Sequence, residues 1–151
     1  PALRTTLLEA AAQSGHPAHD GGTYVCMEGP QFSSRSESNF YRTLQASIIG
    51  MTTLSEARLC REAEIAFAAL SMVTDYDCWR PEEEGVDAAE ILGVLNDNAD
   101  VAQRVLRTEI ALVPAEPLTE NDVLSRALVT PLEQVPEATL ARLEAILAPH
   151  R

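Results

Sequence analysis

Apolar positions change period several times along the chain, and each change marks an element. Between Ala2 and Ser14, Leu3, Leu7, Leu8 and Ala11 share one helical face, and Gly15 supplies a stop. Gly21-Gly22 then turns the chain into TYVCM, Thr23 to Met27, a β-rich run that predicts a strand. Ser34 with Glu37 carries a capping-box signature and opens a short helix through Phe40, Tyr41 and Leu44. SIIGM, Ser47 to Met51, predicts a second strand, and Thr53 with Glu56 opens the helix LSEARLCREAE. The apolar run from Ile65 to Val73 reads as a third strand. Asp87 with Glu90 starts a long helix carrying Ile91, Leu92, Leu95, Val101, Val105 and Leu106. Beyond Pro114, Thr119 with Asp122 begins a further helix. Pro136 sits as a first-turn proline before another, with Leu140, Leu143, Ile146 and Leu147 inward.

Strand, helix, strand, helix, strand predicts an α/β fold with parallel strands joined by right-handed crossovers. In such sheets ligands gather outside the carboxyl ends of the strands. The three predicted strand ends carry EGPQF, MTT and TDYD, so three chemically distinct loops are expected along one sheet edge.

Composition narrows the partners. With 151 residues, 46% of them hydrophobic, the chain has material for one core. Its formal net charge of −12 repels phosphate backbones and anionic lipid, so neither nucleic acid nor a membrane is an expected partner. No apolar run is long enough to span a bilayer. Cys26, Cys60 and Cys78 lie far apart, and no zinc spacing links them to His16, His19 or His150, which predicts a reduced, cytoplasmic protein. The first residue, Pro1, fits either a trimmed initiator or a chain that begins in mid-protein.

Candidate chemistry sits in the loops. Glu82, Glu83 and Glu84 read as a solvated charge run, but Asp75 and Asp77 directly follow the third apolar run. Such a D-x-D pair suits a divalent metal holding a diphosphate, or an acceptor pair for a nitrogen heterocycle; spacing does not choose between them. Thr53 caps its helix, leaving Thr52 free to offer a hydroxyl to an anion. Gly29-Pro30 forces a turn from which Phe32 either stacks on a flat base or joins the core, with core favoured. Trp79 is expected to pack its loop rather than line a pocket. No P-loop, dinucleotide fingerprint or nucleophile elbow is present.

The stretches GGTYVCMEGPQFSSRSESNFYR, GMTTLSEARLCREAEI and MVTDYDCW, in this order and spacing, closely resemble successive motifs of the S-methyl-5′-thioadenosine phosphorylases, within the purine nucleoside phosphorylase superfamily. The likeness runs from Pro1 to about Leu112 and fades beyond. It implies a mixed sheet flanked by helices, present as the C-terminal half of a nucleoside phosphorylase domain over 1–112, with a helical tail of the same domain over 113–151.

The resemblance further implies phosphorolysis of S-methyl-5′-thioadenosine to adenine and 5-methylthioribose 1-phosphate, a pentosyl transfer serving purine and methionine salvage. Inorganic phosphate is the co-substrate, and no cofactor or metal is expected. By motif, Asp75 faces the purine N7 and Asp77 accepts from the exocyclic amine; Phe32, Ser33 and Thr74 also contact the base. Met51 lies against the ribose and Thr52 donates to phosphate. Val86, Ala88, Ile91 and Leu92 surround the 5′-methylthio group, although Leu92 is equally well explained by helix packing. Relatives acting on 6-oxo purines carry an amide in place of Asp75 and a glutamate in place of Ser33, so this pair marks an adenine type.

Family members are about twice as long and trimeric, and their first half carries the phosphate loop and several central strands. A homotrimer is expected once the domain is complete, and 151 residues alone are expected to be inactive. The other expectations are a split enzyme, whose missing half is a separate chain, a phosphorylase acting on another purine nucleoside, and a non-catalytic purine-binding or assembly relative.

Overall fold

The computed structural model describes residues 2–80, 88–115 and 123–150, and side chains within 88–91 fall outside that description. The chain divides into two compact units, Pro1–Leu54 with Ala68–Val113, and Ser55–Phe67 with Pro114–Arg151.

The first unit is built on two helices. Helix α1, Ala2–Gln13, ends where Gly15 takes a φ of 77°, a left-handed stop that glycine adopts without a Cβ penalty. Helix α4, Ala88–Leu112, packs along it. Leu7, Ala10, Ala11 and Val105 are buried at the seam, with Ala68, Leu70, Val101 and Leu112 half-buried around them. The two alanines keep the seam thin. Burying Leu7 and Val105 contributes about 1.5–3 kcal/mol each. Ser14 Oγ extends the seam by donating to Thr108 Oγ1 at 3.0 Å.

Strands β1, Thr23–Cys26, and β2, Ala46–Gly50, pair in parallel, with Tyr24 opposite Ile48, Val25 opposite Ile49 and Cys26 opposite Gly50. The Tyr24 hydroxyl lies against Gly50, so a Cβ there would make the Tyr24 ring swing aside. Helix α2, Arg35–Thr43, makes the connection between the strands, and its first turn is closed by the expected capping box. The Ser34 amide donates to Glu37 Oε2 at 2.7 Å, and the Glu37 amide returns a bond to Ser34 Oγ. Helix α3, Thr53–Glu62, follows β2 after two residues.

The expected third strand is the main departure. Residues 65–73 keep a strand's alternation, Ile65, Phe67, Ala69, Ser71 and Val73 exposed and Ala66, Ala68, Leu70 and Met72 half-buried, but form no ladder. Among the described residues the sheet has two strands. A strand is defined by its neighbour's carbonyls and amides, and alternation cannot supply them.

The second unit carries three short helices, α5, Leu124–Ala127, α6, Glu137–Arg142, and α7, Glu144–Leu147, of which α5 and α7 line an apolar groove of ≈ 400 Å³ that includes Leu128, Leu132, Val135 and Ile146. Pro136 precedes α6 as expected, and Leu147 is buried; Leu143, expected inward, is 41% exposed along the groove. The helix start expected at Thr119 and Asp122 lies outside the described residues, as does Asp87. Glu64, with a φ of 55°, is held from both sides: the Leu124 amide donates to Oε1 at 2.9 Å and His150 Nε2 meets Oε2 at 2.9 Å.

Candidate functional site

Parallel pairing puts the carboxyl ends of β1 and β2 on one edge, and the loops leaving them meet there. A Cβ built on Gly29 would come within 2.6 Å of Met51 Cε, so the Met51 side chain lies directly over the Gly29-Pro30 turn. The next residues, Phe32 and Ser33, run into the cap of α2. Phe32 is 81% exposed, which corrects the expectation that it enters the core. Its ring stands with a face free for contact.

The loop after Val73 reaches the same place. Cys78 donates its thiol to the Ser33 carbonyl at 3.2 Å. Partial desolvation, reinforced by the neighbouring Asp77 charge, pushes the thiol pKa upward although the residue as a whole is exposed, which favours the protonated donor. Trp79 packs as expected: the Arg42 guanidinium of α2 lies 3.8 Å from its ring centre. On the other side, Asn98 of α4 donates to the Val73 carbonyl at 3.1 Å, fixing the root of the loop.

Within that frame the two carboxylates differ. Asp75 is exposed and shapes its own turn: Oδ2 accepts from Thr74 Oγ1 at 2.7 Å and Oδ1 from the Asp77 amide at 2.8 Å. Each carboxylate oxygen has two acceptor sites, so both retain capacity for a ligand donor. Asp77 is half-buried and opens a single 3₁₀ turn, Asp77–Trp79, from a left-handed φ of 60°. That conformation is uncommon outside glycine, asparagine and aspartate, and here it reverses the chain so that Cys78 and Trp79 face α2.

Thr52 is exposed, immediately before the ten-residue helix α3, whose leading amides favour an anion. Leu92 is 61% exposed near the start of α4. The side chains of Ala88 and Ile91, and all of Val86 with the acidic run 82–84, lie outside the described residues.

The fold thus ties the loop bearing Thr74, Asp75 and Asp77 to Ser33, the neighbour of Phe32, through Cys78, and sets Met51 over Gly29 at the start of that same turn. The arrangement offers acceptor-only carboxylates, an uncovered aromatic face and a thioether wall, suited to a flat heterocycle rich in N–H donors. Sequence reasoning missed the framework residues Arg42, Cys78 and Asn98. The sequence marked Trp79 as a packing residue but not what it packs against.

Comparison with known proteins agrees in kind. Residues 1–111 match the family described as the Phosphorylase superfamily. The chain is 47% identical over 153 residues to an S-methyl-5′-thioadenosine phosphorylase of Thermosynechococcus vestitus, covering 98% of this chain and 53% of that protein. It is 49% identical over 132 residues to another from Gloeobacter violaceus, covering 86% and 44%. Among solved structures, a methylthioadenosine phosphorylase from an antarctic soil metagenomic library superimposes with a TM-score of 0.88 at 44% identity, over 97% of this chain and 53% of that one. The methylthioadenosine phosphorylase of Schistosoma mansoni in complex with adenine gives a TM-score of 0.73 at 31% identity, over 85% and 50%. The chain spans about half the length of the curated relatives it matches.

Proposed function

Because this chain belongs to the Phosphorylase superfamily, we propose that it supplies the purine- and ribose-facing half of a site for phosphorolysis of S-methyl-5′-thioadenosine. Phosphate oxygen bonds to the anomeric carbon, the bond to the purine N9 breaks, and its electron pair leaves with adenine. Charge accumulates on the departing base, so a proton shared at N7 lowers the barrier most when the transition state forms. Asp75 takes that position and Asp77 accepts from the 6-amino group. Phe32 covers the ring, Ser33 and Thr74 border it, and Met51 backs the ribose. Leu92, with Ala88 and Ile91, gives the methylthio group an apolar wall.

Thr52 and the leading amides of α3 receive part of the phosphate. One hydroxyl in a chain of net charge −12 does not hold a dianion, so the remaining donors come from the other half of the domain and the 151 residues alone do not turn over. A completed domain assembles as a trimer.

The observation that carries the reading is the Cys78 bond to the Ser33 carbonyl, which joins the acid loop to the loop bearing Phe32. Names of similar proteins support the substrate: the relatives are methylthioadenosine phosphorylases, and one was solved with adenine. The test is release of adenine from methylthioadenosine, with and without phosphate, by this chain alone and joined to the remaining half of a phosphorylase-superfamily domain. Phosphate-dependent release from the joined protein alone is expected. Release from neither, in a folded assembly that still binds adenine, replaces the enzyme with a purine-binding subunit.

A further inference from the structure

The loop that carries the two aspartates has few apolar contacts of its own. Tyr76 is 57% exposed, Val73 59%, and the turn at Asp77–Trp79 is three residues long. Such a turn does not hold itself; its position comes from what grips it. Two grips come from the α2 segment, at opposite ends. At the helix start, the Ser33 carbonyl takes the Cys78 thiol. In the last turn, Arg42 lays its guanidinium on the Trp79 ring at 3.8 Å.

The contact continues along the loop. Trp79 meets Tyr76 edge-on, with ring centres 6.3 Å apart and planes at 87°, and the Arg80 guanidinium lies 4.4 Å from the Tyr76 ring centre. Two cations thus bracket two aromatic rings, in the order Arg42, Trp79, Tyr76, Arg80. In the edge-on pair one ring presents its electropositive edge to the other, while each guanidinium lies over a ring and draws on its negative quadrupole. Asp75 and Asp77 are interleaved with these rings in sequence, so the stack sets where both carboxylates stand.

From this geometry we infer that Arg42 is a positioning residue: through Trp79 it fixes the acid loop against α2 and thereby sets affinity for an amino-bearing base. It is neither a phosphate ligand nor a mere surface charge. The inference rests on the purine reading above for its ligand, but the clamp itself can be read without any ligand. Arg42 is exposed, so shortening it opens no cavity in the core.

Trp79 is the one tryptophan of the sequence, which makes its emission a direct report on the clamp. Collisional quenching by acrylamide is measured for the full chain and for Arg42→Ala, Arg42→Gln and Arg42→Lys, alongside calorimetric titration with adenine. In the alanine and glutamine variants the quenching constant is expected to rise. Adenine is expected to bind about two- to fivefold more weakly, the range a partly exposed cation–ring contact supports. Lysine, which keeps the cation but not the flat guanidinium, is expected to restore part of both. Unchanged quenching in the alanine and glutamine variants overturns the clamp. Raised quenching with unchanged adenine affinity overturns its role in the site. A wild-type chain that binds no adenine overturns the purine reading instead, and with it the ligand part of this inference, while the quenching arm still decides the clamp.

Discussion

At the scale of single residues, Asp75 has the most to do. It closes its own turn with Thr74 and the Asp77 amide, and still has acceptor capacity toward a ligand. An asparagine there preserves the turn, since its oxygen accepts from the Asp77 amide and its amide nitrogen donates to the Thr74 hydroxyl. What it removes is the acceptor-only edge. Asp75→Asn in an active assembly is therefore expected to lose activity on 6-amino nucleosides and gain relative preference for 6-oxo ones, by about tenfold or more in the ratio of kcat/KM. Equal ratios for the two proteins would remove Asp75 from the base contact. The type of residue was legible from the sequence because D-x-D after an apolar run is unusual. That the carboxylate also builds the loop was not, because the partners at positions 74 and 77 become bonded only once the chain turns.

At the scale of elements, α2 does more than connect two strands. Its capping box fixes the first turn, and that turn begins one residue after Ser33, the acceptor of the Cys78 thiol. Loosening the cap therefore loosens the floor beneath Phe32. Ser34→Ala is expected to destabilise the protein by about 1 kcal/mol, measured by urea denaturation, and to weaken base binding with it. Glu37 is held below the ordinary carboxylate range by the Ser34 hydroxyl and amide, so its half of the box is fully present above about pH 4.3 and is lost as pH falls through the depressed value. Helix α1 and the capping box were readable in advance because both depend on neighbours within four positions. The third strand was not. Residues 65–73 have the required alternation, but a strand also needs a backbone partner, and none pairs with it among the described residues.

At the scale of the whole molecule, several large apolar side chains stay in solvent: Phe32 and Ile110 at 81% and 76%, Leu92 at 61%, Phe40 at 59%. Monomeric proteins seldom leave so much apolar surface open. In the second unit one carboxylate ties together distant stretches. Glu64 takes the Leu124 amide, 60 positions away, and His150, 86 away. Its pKa is lowered, by the Leu124 amide first and then by His150, although partial desolvation opposes both. The folded value lies below the unfolded one, so this tie stabilises the unit above about pH 4.3 and weakens as pH falls through the depressed value. Acid titration is expected to lower Tm more in the wild type than in Glu64→Gln. Parallel curves would mean that the tie contributes nothing.

The sequence by itself determined the local terms: which segments become helices, where they are capped, and which side chains carry acid, thiol and ring. Those follow from short-range periodicity and from bonds between neighbours. Tertiary structure alone decided that Ser33 meets Cys78, that Met51 covers Gly29, and that Arg42 reaches Trp79. Contacts between residues 22 to 45 positions apart depend on strand register and helix packing, and no pattern within a single segment encodes them.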